Sequence, residues 1–148
     1  MNLVEKIEKD KLTAMKERQA LRLSVLRMLS TALKNATISK MEILTDDEAL
    51  KIIRTEIKKR QDSIAAFDKA GMADKVKQES QEKEILEQYL PPPMTDEELE
   101  VIVKDTLATG NFTQMSQFGQ AMGATVKAVG GRADGQRVQT VVKKHLGA

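Results

Sequence analysis

Leu90-Pro91-Pro92-Pro93, with Thr95-Asp96-Glu97-Glu98 close behind it, decides how this chain is organised. Each proline lacks a backbone N–H and pushes the residue before it away from helical geometry, so no helix crosses this run. Thr95 and Glu98 then form a capping box, with acids in the first turn where the helix dipole is positive. A helix therefore ends near Leu90 and a new one starts at Thr95. The chain reads as an N-terminal helical part (1–90), a proline joint (91–93) and a C-terminal part (94–148).

Downstream of the joint, Leu99, Ile102, Val103 and Leu107 recur at helical spacing as far as Gly110. A second helix follows Phe112-Thr113, with Met115, Phe118, Met122 and Val126 on its apolar side. Gly119 and Gly123 leave a smooth face on it, which predicts close helix packing. After the loop Gly130-Gly131-Arg132-Ala133-Asp134-Gly135, Asp134 can cap a third helix whose stripe is Val138, Val141, Val142 and Leu146.

Upstream, Asn2 and Glu5 can form a capping box, and no Gly or Pro interrupts before Asn35. Leu3, Ile7, Ala14, Leu21, Val25, Met28 and Ala32 share one side, which predicts a single long helix. Leu23, Leu26, Leu29 and Leu33 widen its apolar surface in the second half. Thr45-Asp46-Asp47-Glu48 starts the next helix, with Ala49, Ile53, Ile57 and Ile64 inward and Lys51, Arg54 and Lys58 opposite. Gly71 ends it. A third helix from about Ala73 to Tyr89 is poor in apolar residues, has a pair such as Glu79–Lys83, and predicts an antiparallel hairpin. The fold class is all-α: a long helix plus a helical hairpin, then a small three-helix module.

Composition agrees. Of 148 residues, 41% are hydrophobic but only 3% aromatic, so the core is aliphatic, with eight Met among its fillers. Without Cys there are no disulfides or thiolate metal sites. A charged N-terminus, Met1 to Lys6, and no long apolar run predict a soluble cytoplasmic protein with no membrane role. Residues 1–40 hold 9 basic and 4 acidic groups, and residues 126–148 hold five basic groups and one acid. Such local excess suits a nucleic-acid partner, and equally an ordinary solvated helix face.

No self-sufficient catalytic site is expected. The only His, His145, falls in a last helical turn, and no cofactor or metal site has its parts. The Gly130–Gly135 loop offers N–H groups ahead of a helix start, with Arg132 and Arg137 beside it, as phosphate binding requires. The nucleic-acid-binding candidates are thus Gly131, Arg132, Arg137, Lys143 and Lys144, with Lys58, Lys59 and Arg60 on the hairpin. With so few aromatics, contact should fall on phosphates and shape, not stacked bases.

Ile52 to Ser63, Ile85 to Pro91 with Thr95 to Leu99, and Gln120-Ala121-Met122-Gly123 with Gly131-Arg132-Ala133-Asp134-Gly135 together resemble the YqeY-like family, as does Val25-Leu26-Arg27-Met28-Leu29. The likeness spans the chain. It implies a fold shared with the tRNA-gripping tail of GatB, a subunit of the glutamyl-tRNA(Gln) and aspartyl-tRNA(Asn) amidotransferase. The partner so implied is tRNA or a tRNA-handling protein complex; the sequence leaves the oligomeric state open, with a monomer favoured. The resemblance also implies a family-level term, carbon–nitrogen ligase activity with glutamine as amido donor, for which the chain offers no machinery. Met72 and Gly130 stand where many members carry basic residues. The alternative function is a protein–protein adapter offering Val76, Leu86 or Tyr89 from the hairpin.

Overall fold

A computed structural model describes residues 1–147 and is all-α, with no strand among those residues. Its elements are α1 (Leu3–Lys16), α2 (Ala20–Lys40), α3 (Asp46–Lys69), α4 (Ala73–Glu87), α5 (Asp96–Thr109), α6 (Phe118–Val129) and α7 (Gly135–Leu146), with a short 3-10 turn at Met115–Gln117. The chain divides into two compact units, Met1–Leu90 and the residues from Pro91 on.

The long first helix of the sequence reading is two helices. Arg18 takes a left-handed conformation, φ 56°, and Gln19 N–H donates to the Ala14 carbonyl at 2.9 Å, which closes α1. The chain then turns back. Glu8 and Lys11 of α1 both hydrogen-bond Ser30 of α2, and Arg22 lies 3.9 Å from Asp10. Burial shows why one helix cannot serve. In α1 the buried residues are Ile7 and Ala14, but in α2 they are Val25, Leu26, Leu29, Ser30 and Leu33. The inward stripe moves by one position, so Met28, expected inside, is 50% exposed. A corner lets both stripes face one core.

Thr45 caps α3 as expected, and Leu3 N–H donates to Asp46 Oδ1 at 2.9 Å, tying the starts of α1 and α3 together. Ala49, Ile53 and Ile57 join the α1 and α2 residues, Leu44, Leu86 and Tyr89 in one core. Gly71, at φ 69°, turns the chain into α4. That left-handed position is cheap only for glycine. The α3–α4 hairpin is braced by Arg60, whose Nε lies 3.3 Å from Glu82 and 3.7 Å from Glu79. Lys83 consequently pairs with Glu87 at 3.5 Å, not with Glu79.

The second unit closes around Met94, Leu99, Val103, Leu107, Ala121, Val129, Val138, Val142 and Leu146. Its glycines are not where helices meet. A Cβ added at Gly119 or Gly123 would find no atom within 4 Å. The inward face of α6 is instead Ala121, Thr125 and Val129, which leaves Val126 exposed, and Met115, in the 3-10 turn before α6, is exposed as well.

Candidate nucleic-acid interface

The Gly130–Gly135 loop reverses the chain between α6 and α7, and two successive left-handed glycines make the reversal: φ is 63° at Gly130 and 81° at Gly131. Two of its six backbone N–H groups are bonded within the protein, and those of Gly131, Ala133, Asp134 and Gly135 are not. Gly130 N–H donates to the Val126 carbonyl and Arg132 N–H to the Val129 carbonyl, ending α6. Asp134 caps α7 by accepting from Arg137 N–H at 2.9 Å. The Arg132 carbonyl accepts from Met94 N–H at 2.8 Å, so the loop is laced to the segment entering α5.

Both of its arginines make bonds within the protein. Arg137 Nη2 donates to the Met94 carbonyl at 2.8 Å and to Asp96 Oδ1 at 2.9 Å. Arg132 Nη2 donates to Glu98 Oε2 at 3.2 Å. The starts of α5 and α7 therefore share one end of this unit, and the first-turn acids of α5 engage one nitrogen of each guanidinium, so a phosphate would compete with them there. Sequence spacing placed Arg132 and Arg137 beside a phosphate-like loop. It gave no sign that carboxylates 34 and 41 residues away would fill the same place.

At the far end of α7, Glu100 accepts from Lys144 at 2.9 Å and pairs with His145 Nε2 at 2.5 Å. These bonds, His145 first and then Lys144, hold the Glu100 carboxyl down to about 2. His145 thus does more than complement the helix dipole. Lys143 is exposed and lies 5.6 Å from the centre of the Phe118 ring, a cation–π arrangement that leaves the ammonium open to solvent. Lys127, in the last turn of α6, is exposed with no carboxylate partner among the described residues.

In the first unit the three hairpin candidates part ways. Arg60 is mostly buried between Glu79 and Glu82, and its Nη2 touches Met28 Sδ at 3.6 Å. It holds the hairpin and is not available to a ligand. Burial, with Glu82 beside it, pushes the Glu79 carboxyl above the usual range. Lys59 is exposed but paired with Glu56 at 3.2 Å. Lys58 is exposed and has no carboxylate partner among the described residues. The adapter reading loses two of its three anchors, since Leu86 is 1% exposed and Tyr89 8%, both in the core, while Val76 is half-buried. Tyr89 donates to Asp10 at 2.6 Å, and burial and that carboxylate raise its phenol well above the ordinary value.

The profile described as "Yqey-like protein" matches residues 4–146. An uncharacterized protein of Schizosaccharomyces pombe is 33% identical over 90 residues, covering 61% of this chain and 73% of the relative. A protein of Pyrenophora tritici-repentis named altered inheritance of mitochondria protein 41, mitochondrial, is 26% identical over 146 residues, covering 97% of this chain and 80% of its own. With a match over nearly its whole length, the chain belongs to the YqeY-like family.

Proposed function

We propose that this chain is a tRNA-associated helical binding module that acts through RNA phosphates and performs no ligase chemistry of its own. The tRNA class follows from the likeness to the GatB tail. The observation that carries it on this chain is the state of the cations. Lys58, Lys127 and Lys143 are exposed without a carboxylate partner among the described residues, and Lys59 and Lys144 are exposed beside a single acid each. Arg132 and Arg137 are reassigned from ligand contacts to positioning residues, which fix the loop that carries Gly131. A cytoplasmic setting belongs to the same proposal. No helix among the described residues is long and apolar enough to cross a membrane.

Phosphate contacts release counterions, so affinity should fall steeply with salt. A filter-binding titration with total tRNA, at about 50 mM and about 200 mM salt, reads this directly. Retention no better than that of a neutral control protein would sink the proposal.

A further inference from the structure

Helix α2 contains Arg22, Arg27, Lys34 and Lys40 and not one carboxylate along its 21 residues. The middle of α3, from Ala49 to Gln61, carries Lys51, Arg54, Lys58, Lys59 and Arg60 against the single acid Glu56. The fold sets these two stretches side by side. Lys40 Nζ meets Glu48 at 2.8 Å and Arg60 Nη2 meets Met28 at 3.6 Å, so α2 and α3 run antiparallel in one register, with residue 34 opposite residue 54. Arg27, Lys34, Lys51 and Lys58 are all exposed, and none forms a salt bridge among the described residues, although Lys34 lies near enough to Glu8 to help hold its carboxyl down. Arg54 is half-buried, with its Nε buried and unpartnered.

We propose that the outward face of α2 and α3, carrying Arg27, Lys34, Lys51 and Lys58, is the surface that receives the phosphate backbone of a folded RNA. The inference rests on the RNA-binding reading above and places its main contact in the first unit. Arg27 and Lys34 are seven residues apart, as are Lys51 and Lys58, so each pair spans about 10 Å of helix. The two rows sit on neighbouring helices, whose axes pack about 8–10 Å apart, and present four cations on the outward side of the pair. Exposed Thr31, Asn35 and Thr55 lie among them and supply short polar side chains to phosphate oxygens. No aromatic residue lies in α2 or between Asp46 and Ala66 of α3, so bases have nothing to stack on. The face therefore suits helical RNA read by its backbone and not an unpaired strand.

The full chain is titrated with fluorescently labelled total tRNA across a salt series. It is compared with the variant Arg27→Gln, Lys34→Gln, Lys51→Gln, Lys58→Gln. A control of equal charge loss takes exposed lysines elsewhere: Lys9→Gln, Lys16→Gln, Lys69→Gln, Lys77→Gln. The patch variant is expected to lose more than about tenfold in affinity and to flatten the salt slope by about 3–4, one per phosphate contact. The control should keep the wild-type slope to within about 1. The pair Lys51→Gln, Lys58→Gln should flatten the slope by about 2, half the effect of the larger variant, and guards against misfolding of that variant. Equal losses in patch and control variants would overturn the assignment, leaving only a net-charge effect. Wild-type binding that the patch variant retains would overturn the surface and leave the RNA reading standing. No wild-type binding would overturn the RNA reading and this inference with it.

Discussion

Replacing Arg137 by Met keeps the aliphatic stem and removes the guanidinium that joins α7 to the entry of α5. Two bonds disappear. The one to Asp96 is a surface pair, since the Asp96 side chain is 91% exposed, and such pairs contribute about 0–1 kcal/mol. The one to the Met94 carbonyl differs, because Met94 is 2% exposed and belongs to the core of its unit. A buried acceptor left without a partner costs about 1–3 kcal/mol. The expected loss is about 2 kcal/mol, most of it from the carbonyl. On the scale for units of about 60–100 residues, that lowers the melting midpoint by roughly 8–16 °C. Urea unfolding followed by circular dichroism, with Asp96→Ala measured alongside, divides the two contributions. Asp96→Ala should cost less than about 1 kcal/mol. Equal costs for the two variants would refute the reasoning, as would a loss below about 0.5 kcal/mol for Arg137→Met. The salt slope for tRNA should be unchanged in Arg137→Met, because its guanidinium is already occupied by the protein.

Three further outcomes follow from particular contacts. Arg18→Gly relieves a left-handed residue and should raise stability by up to about 1 kcal/mol in urea unfolding. Glu79→Gln removes a carboxylate whose ionisation the fold opposes, through burial and then through Glu82. A raised carboxyl costs stability as pH climbs through and beyond its ordinary range, so the variant should have the higher urea midpoint at pH 7, with the gap closing towards pH 4. Glu100 has the opposite sign. Held down to about 2, it stabilises fully above the ordinary carboxylate range, near 4.5, and loses that contribution as pH falls towards 2. Glu100→Gln should flatten the acid limb of the stability curve between those limits.

Much of the fold was legible because its punctuation is local. Thr45, Thr95 and Asp134 cap helices, Gly71 and Gly130 end them, and the prolines stop α4 from running on. Each acts within four residues of itself. The corner at Arg18 was not legible in that way, because no Gly or Pro marks it. Its trace is the shift of the inward stripe to Leu26, Leu29 and Leu33, visible only once the core is known. The same division runs through the candidate site. Asp134 capping is a three-residue relation and could be read. Occupation of Arg132 and Arg137 by Glu98 and Asp96 is a tertiary relation that periodicity cannot show, and so is the burial of Arg60. The acid-free run of α2 lay open in the sequence. It gained meaning only when α3 was seen to lie beside it.

Gly123 interrupts α6 at a point where a side chain would meet nothing. Glycine inside a helix costs about 0.5–1 kcal/mol relative to alanine through the freedom it allows the unfolded chain. Packing gives no reason for it, so the second unit holds a reserve of stability that its fold leaves unused. Gly123→Ala therefore yields a chain with stiffer helix backbone and identical surface charge. In binding work it is the natural reference: an affinity that follows stability will respond to it, and one that follows charge will not.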